Sequence, residues 1–181
     1  MKYQEKKLSG KMVYEGKILK VRVDEVSLVN GRTAVREVMM HPGGVAVVPL
    51  LTDGDVICVR QFRYPMGQDV LEVPAGKLDR GEGPLAGAKR ELEEETGYTA
   101  KEYVYLGEFY PSPGFCDEVL HIYLATGLEK GQAHPDEDEF LDLVKYPLEE
   151  LVTMILDGTI RDAKTAAGLL KVWAMRQRGE A

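Results

Sequence analysis

The chain is poor in cysteine, in histidine and in long apolar runs, and each shortage excludes something. Its two cysteines, Cys58 and Cys116, lie far apart, and Cys58 stands in an apolar run, so a buried thiol is expected there rather than half of a disulfide. The three histidines, His41, His121 and His134, share no spacing, and none is assigned a role. No apolar stretch approaches membrane-spanning length, and the N-terminal MKYQEKKLSGK is too polar for a signal peptide, so no membrane is expected and the compartment is expected to be cytoplasmic. Positive charge is short as well. With 23 Lys and Arg against 30 Asp and Glu, the net charge is −7, which argues against nonspecific binding to nucleic acid or anionic lipid. There is no repeat, no low-complexity segment and no linker. What remains is 181 residues, 44% hydrophobic and 29% charged, enough for one good core with a small appendage.

Strand-like alternation runs from about Lys11 to Met40, notably over Lys17–Asp24 and Ala34–Met40, with Asn30-Gly31 as the turn between them. His41-Pro42-Gly43-Gly44 breaks the pattern. Beyond it, Val45–Leu51, Asp55–Gln61 and Val70–Val73 read as core strands, followed by a helix. Further strands are expected near Lys101–Glu108 and Val119–Thr126, and helices over about Pro147–Leu156 and Arg161–Met175. Strands alternating with helices imply a layered α/β architecture.

The most informative stretch is Arg90-Glu91-Leu92-Glu93-Glu94-Glu95. On a helix, Glu91, Glu94 and Glu95 stand at i, i+3 and i+4, so three carboxylates share a face while Glu93 points elsewhere. Leu85, Ala88 and Leu92 form a separate apolar stripe that would pack the helix on the core. Gly83 suits the helix cap, Pro84 the first helical position and Gly97 the stop. Arg90 can pair with Glu94 inside the helix or with Glu82 outside it. Like charges at this spacing repel, so a cation should offset them, and carboxylates without Cys or His partners select a hard ion, Mg²⁺ or Mn²⁺, rather than zinc.

Gly76, five residues, Glu82, seven residues, then Arg90-Glu91-Leu92-x-Glu94-Glu95-x-Gly97 resembles the signature of the Nudix hydrolases at every position but the last, where Tyr98 replaces a bulky aliphatic. An aromatic can still fill a core-facing slot there. The resemblance, from roughly Gly43 to the C-terminus, implies the Nudix α/β/α sandwich with a mixed sheet, preceded by a small N-terminal antiparallel β-element, with residues 1–42 and 43–181 as the two parts. It implies cleavage of the diphosphate in a nucleoside diphosphate derivative. It also implies that Glu82 braces the loop through Arg90, that Glu91 and Glu95 are the primary metal ligands with Glu94 assisting, and that the Ala75 carbonyl is a further ligand. Arg90 and Glu94 are counted with the catalytic group.

Outside the signature the chain resembles the ADP-ribose pyrophosphatase branch of that family. Pro113, in Tyr110-Pro111-Ser112-Pro113-Gly114-Phe115-Cys116-Asp117-Glu118, stands at the distance after the signature that marks this branch, and Pro113, Gly114 and Glu118 are candidate substrate contacts. Arg60-Gln61-Phe62-Arg63-Tyr64 resembles the branch too, with Arg63 offering a planar donor fork to phosphate or ribose. Arg36 is a weaker candidate for the same task. In His134-Pro135-Asp136-Glu137-Asp138-Glu139, the resemblance gives Glu137 as general base and Glu139 as a supplementary ligand, an assignment open to exchange between the two. It further implies a homodimer built through the N-terminal strands, the substrate being a small nucleoside diphosphate derivative. The expected reaction is hydrolysis of ADP-ribose to AMP and ribose 5-phosphate. Other nucleotide sugars or dinucleotides, or a non-catalytic sensing module, are the alternatives.

Overall fold

The computed structural model describes residues 2–134 and 140–180. Its elements are β1 (Lys6–Glu15), β2 (Lys20–Ser27), β3 (Thr33–Met40), β4 (Gly44–Pro49), β5 (Asp55–Arg63), a 3₁₀ turn (Tyr64–Met66), β6 (Gln68–Glu72), β7 (Ala75–Lys77), α1 (Pro84–Thr96), β8 (Tyr98–Phe109), β9 (Leu120–Lys130), β10 (Leu141–Pro147), α2 (Leu148–Leu156) and α3 (Ala163–Gln177). Contacts divide the chain into two units, Met1–Pro42 with Tyr110–Val119, and Gly43–Phe109 with Leu120–Ala181. The segment joining β8 to β9 therefore groups with the N-terminal strands.

The first unit is the antiparallel sheet β1-β2-β3. The β2–β3 hairpin closes at Asn30-Gly31, where the Asn30 side chain accepts the Arg32 N–H at 3.1 Å. β2 begins at Lys20 rather than Lys17 because the Gly16 N–H bonds to the Leu19 carbonyl at 2.9 Å and turns the chain first. Every residue of β1 is exposed, Leu8, Met12 and Tyr14 among them. Backbone bonds stitch the 110–119 segment to the end of β3: Met39 N–H donates to the Phe115 carbonyl and Asp117 N–H to the Met39 carbonyl.

The second unit is layered. Its sheet β7-β4-β9-β8 is mixed, with β4 parallel to β9 and the other pairs antiparallel. β4 is buried along its whole length, and period-2 alternation sends its side chains to two different cores. Val45 and Val47 meet Ala88 and Leu92 of α1, with Tyr123 and Ala125 of β9. Ala46 and Val48 face the other way, into a cluster with Ile122 and Leu124 of β9, Leu151 of α2, and Leu169 and Val172 of α3. The order α1, sheet, α3 is the expected α/β/α sandwich. A second sheet, β10-β5-β6, adds Val56, Cys58 and Leu71 to the same cluster.

Complete burial of Leu92 contributes about 1.5–3 kcal/mol to holding α1 on the sheet. Leu85 does not share in this. It is 43% exposed, because in the first helical turn it lies outside the cluster formed by Ala88 and Leu92, so the expected three-residue stripe is a two-residue one. Tyr98 fills a buried slot just past the helix. Both cysteines are buried and free, and burial pushes the Cys58 thiol up to about 12. No helix of the described residues is long and apolar enough to cross a membrane.

Candidate active site

Three short pieces of the second unit converge. β7 pairs with β4 through Gly76 opposite Val45 and Ala75 opposite Ala46, and α1 crosses above them. Gly83 caps α1 in an extended conformation, Pro84 takes the first position, and Gly97 ends the helix at φ 70°, a left-handed conformation that glycine adopts without strain. This fixed phase turns Glu91 and Glu95 inward, where both are buried, leaves Glu94 half-buried and points Glu93 to solvent. The Glu91 carboxylate fills the space that a Cβ on Gly76 would occupy, so only glycine lets the helix acid come this close to β7. Glu95 accepts the Ala75 N–H at 3.1 Å, which puts that peptide beside its carboxylate.

Arg90 holds the acids together. Its Nε and Nη2 reach the two carboxylate oxygens of Glu82, each at 2.9 Å, while Nη1 reaches Glu91 at 2.8 Å and Glu94 at 2.9 Å. Nη2 also donates to the Lys77 carbonyl at 3.0 Å, and Asp79 stands 3.8 Å from Nε. The two pairings that the sequence left as alternatives for Arg90 are thus made at once. Glu82 braces the loop before α1 by accepting the Asp79 N–H at 3.0 Å. The Arg90 guanidinium first, and that backbone bond second, hold the Glu82 carboxyl down to about 2. The same pair with Glu82 is the main reason that Arg90 is held still more firmly in its charged form.

A second cluster lies at the end of β6. Arg63 grips Glu72 with Nε at 2.6 Å and Nη2 at 2.8 Å, and Lys164 of α3 bonds to the same carboxylate. Sequence reasoning missed Glu72 and Lys164. An acid inside the otherwise apolar run Val70–Val73 was the available signal, since a carboxylate there must find partners.

The other candidates stand on the first unit. Arg36 is held by Glu5, with Nε at 2.9 Å and Nη2 at 2.6 Å from its oxygens. Pro113 and Gly114 are exposed in a turn that Cys116 N–H closes onto the Ser112 carbonyl at 2.9 Å. Glu118 lies 3.7 Å from His41 Nδ1. Glu137 and Glu139 lie outside the described residues.

Among the described residues, no three His, Cys, Asp or Glu side chains are gathered in a metal-holding arrangement; Glu91 and Glu94 share Arg90 Nη1. The Glu91 and Glu95 carboxylates, both buried on α1, offer oxygen alone. That set fits a hard divalent cation, which takes few protein ligands and keeps its waters, and it does not fit zinc.

Residues 40–169 match the NUDIX domain model, and residues 5–39 match the nucleoside diphosphate sugar hydrolase N-terminal domain. The chain belongs to the Nudix hydrolase family. Among its relatives, an ADP-ribose pyrophosphatase of Bacillus subtilis strain 168 is 42% identical over 165 residues, covering 90% of this chain and 89% of that one. A methanol dehydrogenase activator of Bacillus methanolicus is 43% identical over 165 residues, with the same coverage. A crystal structure of an ADP compounds hydrolase superposes with a TM-score of 0.85 over 98% of this chain and 97% of that one; at 24% identity it speaks to the fold of this Nudix protein.

Proposed function

We propose that this Nudix hydrolase cleaves the diphosphate of ADP-ribose with water, giving AMP and ribose 5-phosphate, and that it does so in the cytoplasm with Mg²⁺ or, in its place, Mn²⁺. The observation that carries the reading is the buried pair Glu91 and Glu95 packed against Ala75 and Gly76, with one arginine facing four acids. The relative named ADP-ribose pyrophosphatase and the position of Pro113 support the choice of substrate.

Glu91, Glu95 and the Ala75 carbonyl would hold the ion, with Glu94 assisting and Glu139 supplementing. A bound divalent ion supplies charge neutralisation for the diphosphate and makes a nearby water more acidic. Arg90 keeps Glu82, Glu91 and Glu94 in a fixed array, so their geometry is set before substrate arrives. Arg63 offers its remaining donors to a phosphate oxygen. As the water oxygen bonds to phosphorus and the bridging P–O bond breaks, Glu137 accepts the water's proton. The sequence resemblance assigns substrate contacts to Pro113, Gly114 and Glu118, with Arg36 weaker because Glu5 already holds it. The exposed apolar side chains of β1, Leu8, Met12 and Tyr14, support association of two copies through the N-terminal strands.

The match of residues 5–39 to the N-terminal domain of nucleoside diphosphate sugar hydrolases favours a second reading, in which another nucleotide sugar is the better substrate. One panel separates them: ADP-ribose, other nucleotide sugars, dinucleotides and nucleoside triphosphates with Mg²⁺, products resolved by chromatography. ADP-ribose should be cut fastest and chelation should stop the reaction. Preferred release of phosphate or pyrophosphate from a triphosphate would overturn both readings.

A further inference from the structure

Glu72 is 2% exposed, in register with Val59 at the end of β6. Burial alone would push its carboxyl up, but the Arg63 hydrogen bond and the Lys164 charge outweigh it and hold Glu72 below the ordinary carboxylate value. Lys164 also pairs with Asp162 at 3.1 Å. Asp162 caps α3, accepting the Thr165 N–H at 2.9 Å and the Thr165 hydroxyl at 2.6 Å. The Thr165 hydroxyl oxygen in turn accepts the N–H of Val73, the residue after Glu72, at 2.9 Å. An unbroken polar chain therefore runs from the start of α3 to the guanidinium of Arg63. Because Nε and Nη2 are committed to Glu72, the planar head can stand in one orientation only, with its Nη1 edge outside the pair and the side chain 41% exposed. Three residues beyond Glu72 the Ala75 N–H bonds to Glu95 at 3.1 Å, and the Glu95 charge adds, after the larger effect of Glu72, to holding Arg63 protonated, so the Arg63–Glu72 pair lies within electrostatic reach of the buried acids of α1.

We propose that Glu72 and Lys164 are positioning residues for hydrolysis, fixing the Arg63 guanidinium so that its Nη1 edge meets the diphosphate of the substrate. Lys164 has a distinct part. A buried carboxylate facing one arginine that also serves a phosphate would be left undercompensated, and Lys164 keeps Glu72 balanced while Arg63 is shared. The inference rests on the hydrolytic reading above.

Steady-state kinetics on ADP-ribose with Arg63→Ala, Lys164→Met, Glu72→Gln and the corresponding doubles, each with a thermal melt, test it. Lys164→Met should raise KM roughly tenfold with kcat changed far less, as loss of a supporting partner does, and Lys164→Arg should restore it. In the Arg63→Ala background, Lys164→Met should raise KM no further, because its effect passes through Arg63. If Glu72→Gln does not fold, the Lys164 variants at the rim of the cluster carry the test alone. Effects that add in full, or a Lys164→Met variant that melts lower with wild-type KM, would overturn the inference and leave the cluster as a staple between β6 and α3. Wild-type protein that cleaves no diphosphate sinks the hydrolytic reading instead, and this inference with it.

Discussion

Arg90 and Glu72 sit at the centres of two ion clusters at either end of the segment from Glu72 to Lys77, and the clusters are built to opposite ratios. Around Arg90, one guanidinium faces the carboxylates of Asp79, Glu82, Glu91 and Glu94, four acids to one base among these side chains. Around Glu72, the carboxylates of Glu72 and Asp162 are matched by Arg63 and Lys164. A balanced cluster that is also buried has no call on a further ion, and its effect is to fix geometry. A cluster in surplus is costly as it stands and becomes favourable when a cation arrives. On the proposed function, the difference would separate residues that recruit the ion from residues that hold the substrate's arginine.

The largest effect should come from lowering the surplus where it is buried. Glu91→Gln or Glu95→Gln keeps side-chain shape but removes a charge, and kcat on ADP-ribose should fall by on the order of 10²–10³-fold, as when one preorganised group is removed from a charged transition state. The melting temperature should not fall for Glu95→Gln, because the amide oxygen can still accept the Ala75 N–H. Rates at saturating substrate across a Mg²⁺ titration check this, and wild-type turnover would mean that the surplus recruits nothing.

Acid should act on both clusters in one direction, with Glu82 the measurable case. Its folded pKa of about 2 lies below the ordinary 4.5, so the pair with Arg90 stabilises the fold fully above the ordinary value and loses that contribution as pH falls from about 4.5 toward 2. Glu72 is shifted downward too, which gives its contribution the same sign. Thermal melts between pH 7 and pH 2.5 should show an acid limb that is shallower in Glu82→Gln than in the wild type. Superimposable limbs would mean that the Arg90 cluster holds its loop without help from this pair.

How far these clusters were legible beforehand depends on sequence separation. The cap at Gly83, Pro84 and the stop at Gly97 are decided by local backbone chemistry, and the acids of α1 by helical phase, so both could be read directly. Leu85 shares that phase with Ala88 and Leu92, yet phase says nothing about where the sheet below ends. β1 pairs along its length while burying nothing, so it offered no one-sided alternation to read before Lys11. β7 is three residues long, too short for any period, and β10 is placed by its pairing with β5. Lys164 meets Glu72 across 92 residues, a contact that only the packing of α3 creates. The grouping of Tyr110–Val119 with the N-terminal strands likewise follows from backbone bonds to Met39 rather than from any local signal.

The smallest effect sharpens the comparison by asking whether the surplus is a matter of number or of place. Asp79 is the fourth acid facing Arg90, but at 3.8 Å and with its side chain 80% exposed it is screened by water, and exposed pairs contribute about 0–1 kcal/mol. Its structural service to the loop is the backbone N–H given to Glu82, which survives a change of side chain. Asp79→Asn should therefore alter stability by no more than roughly 0.5 kcal/mol and leave the Mg²⁺ concentration for half-maximal rate where it was. A marked rise in that concentration would show that the acids act as a summed field, with position secondary. An unchanged value beside an inactive Glu95→Gln confines recruitment to the buried carboxylates against β7.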